Sequence, residues 1–264
     1  DGTVRIWNIE NGEQEGTSME HRDVMGFVVT KDGKRILSCG RDMVLRVWDV
    51  ETHQSIAEWA GHAGSIHCIA MSPDDQLVAS GDSKGMIVIR GMNLREDGRI
   101  KHVIEIGRRS NSICFSPDGT KLASGHRDAM IRVFDVENGD LILGPIEGHE
   151  ASVQSVVWSL DGSRLFTASL DRSIRFWDSE TGQAIGGPLT GHDFFTRSIS
   201  LSPDGTQLAS ASIDGTVRFW ATDSGDPIGE PLQWREHLQA ITFSPCSEFV
   251  AFGEHGGKIS IWRV

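Results

Sequence analysis

The sequence predicts an all-β protein, for three reasons. A residue that ends a strand recurs every 41 to 45 residues, which is the repeat length of a ring of four-stranded sheets. Each repeat contains alternating apolar and polar runs, and no stretch has a helical period. Turn signals separate these runs. Together the observations predict a β-propeller. The strand-ending residues are Trp7, Trp48, Ile89, Phe134, Trp177, Trp220 and Trp262.

Each repeat contains the same signals in the same order, best seen in residues 148–178 and 191–220. Gly-His precedes an alternating apolar strand. Ser-Pro-Asp-Gly, a Leu-Ala-Ser strand, a turn with Asp, and a strand ending in Trp then follow. In Pro203–Gly205 the proline presets φ and the glycine accepts positive φ, which predicts a hairpin turn. In Val217–Trp220 apolar residues alternate with arginine, which predicts a strand with one buried face.

Several in-register dipeptides resemble those of the WD-repeat, or β-transducin-like, family, over essentially the whole chain. They are Gly61-His62, Gly148-His149, Gly191-His192, Trp48-Asp49 and Trp177-Asp178. The resemblance implies a WD40 β-propeller. The segment Thr181–His192 is in addition similar to arrays in fungal NACHT-type sensor proteins.

The resemblance also implies that His, Ser or Thr, Asp and Trp form a hydrogen-bonded tetrad within a blade. A buried indole N–H needs an acceptor, and a carboxylate can orient an imidazole, so we predict a structural role. Which of two adjacent serines takes part is left open. The three complete sets are His21, Ser38, Asp42 and Trp48; His149, Thr167, Asp171 and Trp177; and His192, Ser210, Asp214 and Trp220.

The other repeats depart from this pattern. The repeat ending at Ile89 keeps His62 but has Ser83 in place of the aspartate. The repeat ending at Phe134 keeps Asp128 and lacks the histidine. The last repeat has Trp234 where the histidine is expected. We expect these blades to be held more loosely.

Ser, His and Asp together also form hydrolase triads. Three similar copies without a Gly-x-Ser-x-Gly elbow are better explained as structural groups, so no catalytic residue and no enzymatic activity are predicted. A propeller enzyme would need a metal or an acid/base cluster. The histidines to check are His126 and His255, which we expect at the surface. No metal site and no cofactor are predicted, and the chain has no Walker motif.

A net charge of −12 disfavours nucleic acid and anionic membranes as partners. The four cysteines show no paired spacing, so reduced thiols are expected. The sequence has neither a signal peptide nor a membrane-spanning apolar run, which favours an intracellular location, cytoplasmic or nuclear.

We predict one domain over residues 1–264. Counting strands favours seven blades with an incomplete first blade. In the six-bladed alternative, a strand near residues 12–19 would complete the last blade. Because the chain begins within a repeat at Asp1, more chain upstream is expected. The predicted units are a partial blade at 1–20, then about 21–60, 61–106, 107–147, 148–190, 191–233 and 234–264.

Propellers bind partners chiefly through loops at one face, so a protein or peptide ligand is expected there and no small-molecule substrate. Phe194 and Phe195 are the most informative candidates, because the neighbouring repeat has Ala151 and Ser152 in their place. In the alternative reading, one phenylalanine simply covers Thr196. The other candidates are Asp193, Glu150, Arg41, Arg127, Leu170 and Ile213.

Arg41 and Arg127 occupy equivalent turn positions in two repeats. Together they could face an acidic or phosphorylated peptide, or they could be solvated surface residues. The leading functional prediction is a non-catalytic scaffold or adaptor. The alternatives are the ligand-sensing domain of a NACHT-type signalling ATPase, a ubiquitin-ligase substrate receptor and a propeller enzyme. The substrate receptor is disfavoured because the Trp-Asp-x-Arg box is missing.

Overall fold

The computed structural model describes residues 2–92 and 98–264. Every regular element in these ranges is a β-strand, so the predicted all-β fold is confirmed. Neighbouring strands in the sheets run antiparallel, as the short hairpin turns require. No helix in the described ranges is long and apolar enough to cross a membrane.

The strands form seven sheets, which we name A to G in chain order. Sheet A contains β1 (Thr3–Trp7) and β2 (Gln14–Glu20). Sheet B contains β3 (Val24–Val29), β4 (Arg35–Gly40), β5 (Leu45–Asp49) and β6 (Ser55–Trp59). Sheet C contains β7 (Ile66–Met71), β8 (Leu77–Asp82), β9 (Met86–Gly91) and β10 (Ile100–Glu105). Sheet D contains β11 (Ser110–Phe115), β12 (Lys121–His126), β13 (Ile131–Asp135) and β14 (Leu141–Ile146).

Sheet E contains β15 (Val153–Trp158), β16 (Arg164–Ser169), β17 (Ile174–Asp178) and β18 (Ala184–Leu189). Sheet F contains β19 (Thr196–Leu201), β20 (Gln207–Ser212), β21 (Thr216–Ala221) and β22 (Pro227–Gln233). Sheet G contains β23 (Leu238–Phe243), β24 (Phe249–Glu254) and β25 (Ile259–Arg263).

Sheets B to G, with three or four strands each, give six blades, in agreement with the six-bladed alternative. A seventh position is represented only by the two strands of sheet A, so the seven-bladed form stays a prediction. One detail of the alternative is wrong. The strand near residues 12–19 pairs with β1, with Thr3 opposite Glu20 and Trp7 opposite Gln14, and not with the last blade.

The chain divides into two compact units. The first comprises Asp1–Phe115, Gly119–Leu122 and Asp135–Asp140, and the second comprises Ser116–Asp118, Ala123–Phe134 and Leu141–Val264. Sheets A, B and C therefore belong to the first unit and sheets E, F and G to the second, whereas sheet D is divided. The single domain over residues 1–264 stays a prediction.

Within each unit, neighbouring sheets pack through the apolar residues of alternating strand positions. In the first unit, Leu37 and Val47 of sheet B share a cluster with Val78 of sheet C. In the second unit, Phe166 of sheet E packs with Trp220 of sheet F. Full burial of such a side chain stabilises the fold by about 1.5–3 kcal/mol. The repeat period thus sets the spacing of the hydrophobic layers.

Candidate functional site

The tetrad of sheet E joins two strands, the turn between them and a loop by short hydrogen bonds. Nδ1 of His149 lies 2.7 Å from Oδ2 of Asp171, and Nε2 lies 2.8 Å from Oγ1 of Thr167. Nε1 of Trp177 donates to the same Thr167 oxygen at 2.8 Å. Because a carboxylate can only accept, Nδ1 carries the proton, and the Thr167 hydroxyl donates to Nε2. The interaction is a directed chain from Trp177 to Asp171.

Sheet F has the same arrangement. His192 lies 2.7 Å from Oγ of Ser210 and 3.0 Å from Asp214, and Nε1 of Trp220 donates to Ser210 at 2.9 Å. The position left open between two serines is therefore occupied by Ser210. The neighbouring Ser212 instead donates to the carbonyl of Phe194 at 3.1 Å.

In sheet B the two imidazole nitrogens exchange partners. Nδ1 of His21 lies 2.6 Å from Oγ of Ser38, and Nε2 lies 3.0 Å from Asp42. Nε1 of Trp48 donates to Ser38 at 2.8 Å. Arg46 donates to the second oxygen of Asp42 at 2.5 Å, an arginine pair that Asp171 and Asp214 do not form with any described residue.

The tetrad carboxylates have shifted pKa values. Burial alone would raise the pKa of Asp171, but hydrogen bonds from His149 and Ser173 lower it well below its usual range. Burial would likewise raise the pKa of Asp214, but hydrogen bonds from His192 and Thr216 lower it well below its usual range. Both carboxylates are therefore ionised at neutral pH and can accept several N–H and O–H groups.

The same carboxylates hold two surface loops in place. Oδ2 of Asp171 accepts the main-chain N–H of Glu150 at 3.0 Å, and Oδ2 of Asp214 accepts that of Asp193 at 2.9 Å. The N–H of Ile213 donates to the carbonyl of Phe195 at 3.0 Å. The loops after the two Gly-His dipeptides are thus tied to the blades at their main chain, and their side chains remain available.

These loops border a cleft of about 340 Å³ in the second unit. Five of the eight candidate partner-binding residues line it. Sequence reasoning missed Arg172, which lies in the turn after the tetrad carboxylate and has a φ of 72°. Its position in the sequence, directly after Asp171, was the signal that could have placed it near the cleft. The lining residues are Glu150, Ala151, Leu170, Asp171, Arg172, Asp193, Phe194 and Phe195.

Phe194 and Phe195 are the aromatic part of this cleft. Their rings pack edge to face with centroids 5.1 Å apart, and Phe194 is 53% and Phe195 38% exposed. Thr196, the next residue, is fully buried, and its hydroxyl has no hydrogen-bond partner within the described part of the chain. Exposed aromatic rings at a concave surface are common anchors of protein interfaces.

The remaining three candidates lie elsewhere. Ile213 is half-buried and does not line the cleft. Arg41 is exposed in the first unit, and Arg127 is exposed in the second. A joint site for an acidic peptide at the two arginines stays a prediction.

Sheet C corrects two sequence assignments. The role of the tetrad aspartate is taken by Asp82, the last residue of β8, and not by Ser83: its Oδ2 lies 3.2 Å from Nδ1 of His62, whose Nε2 lies 2.7 Å from Ser80. The tryptophan position is filled by Arg90, not Ile89, because Val78 pairs with Arg90 just as Leu165 pairs with Trp177.

The Arg90 side chain occupies the place of the missing indole. It is 4% exposed and donates to the carbonyls of Ala60 and Gly98. A Cβ on Gly61 would clash with its guanidinium, as a Cβ on Gly148 would clash with the ring of Trp177. Both glycines also have a φ, 132° and 151°, that side chains rarely adopt. In these two blades the glycine of the Gly-His dipeptide therefore leaves space for the side chain at the tryptophan position.

Sheet D corrects another expectation. His126 is fully buried, not at the surface, and its Nε2 lies 2.7 Å from Oγ of Ser124. Asp128 accepts hydrogen bonds from Arg132, the closer at 2.9 Å. His255 is exposed, as expected. The described residues contain no group of three or more His, Cys, Asp or Glu side chains that could hold a metal ion.

In sheet G aromatic side chains replace the polar tetrad. Phe252 pairs with Ile241 at the register position of Ser210, and Trp262 pairs with Val250 at that of Trp220. Trp234, in the loop that carries His192 in sheet F, has its ring centroid 4.3 Å from that of Phe252 and 5.8 Å from that of Trp262. Edge-to-face packing here replaces hydrogen bonding.

Comparison with known proteins gives a consistent result. The family model described as "WD domain, G-beta repeat" matches residues 12–49, 53–89, 106–135, 142–178 and 185–221, which is more than half of the chain. Apoptotic protease-activating factor 1 of Homo sapiens is 32% identical over 47% of this chain and 10% of its own length.

Two further relatives are similar over other shares of the chain. Anaphase-promoting complex subunit cdc20 of Dictyostelium discoideum is 28% identical over 58% of this chain and 31% of its own length. Cross-pathway control WD-repeat protein 2 of Flammulina velutipes is 30% identical over 40% of this chain and 33% of its own length. The chain thus spans a third or less of each of these relatives.

Proposed function

Because this chain belongs to the WD-repeat family, whose β-propeller is generally a non-catalytic interaction fold, we propose that it binds a peptide of a partner protein. The binding site is the cleft at Phe194 and Phe195, and the protein acts as a scaffold or adaptor. The exposed aromatic pair carries this proposal, because no packing requirement of the blade explains two large rings in this loop.

The chemistry of the cleft supports a peptide rather than another class of ligand. It combines two aromatic rings and Leu170 with Glu150 and Asp193, whose side chains have no partner among the described residues and whose main chain is held in place. Preformed apolar surface with a few fixed polar groups favours peptide side chains, because little conformational entropy is lost on binding. The net charge of −12 argues against nucleic acid and anionic membranes.

A structural role for the Ser, His and Asp groups is part of the same proposal. The histidine nitrogens of the three complete tetrads are occupied by internal hydrogen bonds, and His21, His149 and His192 are buried. A general base has to reach a substrate proton, which a buried and fully bonded imidazole cannot do. We expect no catalysis, no metal, no cofactor and no small-molecule substrate, and an intracellular location.

The test is affinity capture with the full-length parent protein from its source cell. The wild type is compared with the Phe194→Ala/Phe195→Ala variant and with Phe27→Ala, a matched control because Phe27 is an exposed phenylalanine of sheet B. We expect one partner to be lost with the cleft variant and retained with the control. Unchanged capture by a cleft variant that is still folded by circular dichroism would refute the site.

One alternative has an observation in its favour. The segment Thr181–His192 is similar to arrays in fungal NACHT-type sensors, where a propeller would sense the ligand of a signalling ATPase. In that case the ligand bound at the cleft should change nucleotide turnover of a parent protein with such an ATPase domain. A parent protein without a nucleotide-binding domain would exclude this alternative.

A further inference from the structure

We propose that the peptide bound at this cleft carries a basic side chain beside an apolar one, with the cation held by Glu150 and Asp193. This inference rests on the proposed function, because it specifies the partner of the same site. Its basis is that some charged side chains at the cleft are already paired within the protein, whereas others are not.

The carboxylates of Glu150 and Asp193 are free to bind a ligand. Both side chains are exposed, both line the cleft, and neither forms an ion pair or a side-chain hydrogen bond with any residue of the described ranges. Their main-chain N–H groups are bound to Asp171 and Asp214. Each carboxylate therefore starts from a fixed backbone, which reduces the entropy lost when it binds a cation.

Among the described residues that line the cleft, Arg172 is the one basic side chain, and it forms no ion pair with either carboxylate. It is exposed and lies in no ion pair with a described residue. The third carboxylate of the cleft, Asp171, is ionised and already bonded to His149. The local charge is therefore negative, in keeping with the negative charge of the whole chain. An acidic peptide would meet repulsion here, and a basic one attraction.

The aromatic pair adds a second reason to expect a cation. The T-shaped arrangement leaves a face of at least one ring open, since both phenylalanines are more than a third exposed. A cation within about 6 Å of a ring centroid is attracted by the negative face of the ring. Leu170 and Ala151, which also line the cleft, offer apolar contact for a neighbouring residue of the peptide.

The test uses the full-length protein and an array of acetylated octapeptides with one variable position at a time. We expect selection of lysine or arginine at one position and of an apolar residue next to it. Selection of acidic residues, or of apolar residues with no preference for lysine or arginine, would overturn the inference. Failure of the wild type to select any peptide would overturn both the inference and the proposed function.

A selected basic peptide is then measured by isothermal titration against three variants. Glu150→Gln/Asp193→Asn should weaken binding about tenfold at low salt, since two surface charge pairs are lost. Glu230→Gln/Asp226→Asn is the matched control: it removes the same charge from exposed positions of β22 and the turn before it, outside the cleft, and should change the Kd less than about twofold.

The third variant separates the two proposals. Phe194→Ala/Phe195→Ala should abolish binding of every selected peptide. If it does so while Glu150→Gln/Asp193→Asn leaves the Kd and its salt dependence unchanged, the cleft binds peptides but not through a cation. If neither variant weakens binding, the peptide binds elsewhere and both proposals are wrong.

Discussion

Oδ2 of Asp171 lies 2.7 Å from Nδ1 of His149, and 3.0 Å from the main-chain nitrogen of the next residue, Glu150. One carboxylate oxygen thus joins the hydrogen-bonded chain inside a blade to the rim of the cleft. Asp214 makes the same two contacts with His192 and Asp193. Loss of either aspartate should therefore affect both stability and binding.

The Thr167 hydroxyl is the central group of its tetrad. Thr167→Val keeps the shape of the side chain but leaves Nε2 of His149 and Nε1 of Trp177 without partners. Each buried unsatisfied group costs about 1–3 kcal/mol, so we expect the free energy of unfolding to fall by about 2–4 kcal/mol in urea denaturation. Thr167→Ser keeps the hydroxyl and should lose clearly less. Equal losses for the two variants would contradict a network through this oxygen.

Stability should depend on the ionisation of Asp171. Burial opposes the lowering of its pKa, but hydrogen bonds from His149 and Ser173 bring the folded-state pKa below the unfolded value of about 3.9. The stabilisation is present above the unfolded pKa and is lost as pH falls through the folded pKa. The stability difference between wild type and Asp171→Asn should shrink as the pH falls below about 4. A difference independent of pH would disprove this linkage.

Arg90 replaces an indole at a buried position. Arg90→Ala removes its hydrogen bonds to the carbonyls of Ala60 and Gly98 and leaves a cavity, so we expect a loss of about 2–4 kcal/mol. Arg90→Trp should retain most of the stability, because Ser80 lies where Thr167 accepts the indole of Trp177. Thermal and urea denaturation compare the two. If Arg90→Trp unfolds as easily as Arg90→Ala, the register equivalence does not extend to side-chain packing.

Thr196 has a buried hydroxyl that finds no hydrogen-bond partner among the residues the structure describes. Thr196→Val removes this unsatisfied group at constant shape and should raise the free energy of unfolding by about 1 kcal/mol. Thr196→Ser keeps the hydroxyl, loses a buried methyl group and should be destabilised by about as much. Destabilisation by valine would indicate that a partner for the hydroxyl forms in solution.

Much of the fold follows from the repeat period, because a fixed spacing places equivalent residues at equivalent strand positions. The histidine, hydroxyl and tryptophan positions of sheets B, E and F were named from the resemblance to the WD-repeat family, mapped onto this chain through that spacing. Sheet C was misaligned by one residue, since Ile89 looked like the natural apolar counterpart of tryptophan. A shift of one residue turns a side chain to the other face of the sheet. Only the observed pairing of Val78 with Arg90 reveals the substitution.

The cleft could be predicted only in part. Phe194 and Phe195 were recognisable because the blade does not require aromatic residues there. Glu150 and Asp193 were named by alignment of the loops. Arg172 was missed because the direction of a turn side chain depends on backbone conformation, here a φ of 72° that arginine rarely adopts. Spacing along the chain gives the position of Arg172 after Asp171 but not the direction of its side chain.

The aromatic cluster of sheet G suggests how the repeats could diverge. A blade with Trp234, Phe252 and Trp262 in contact needs no hydroxyl or imidazole, but a half-changed blade would leave an indole or histidine nitrogen without its hydrogen-bond partner. Each single exchange on the way is therefore harmful, whereas the complete set is tolerated. We expect strong epistasis between these positions: in related chains, the polar and the aromatic version should each be inherited as a block, with mixed versions rare.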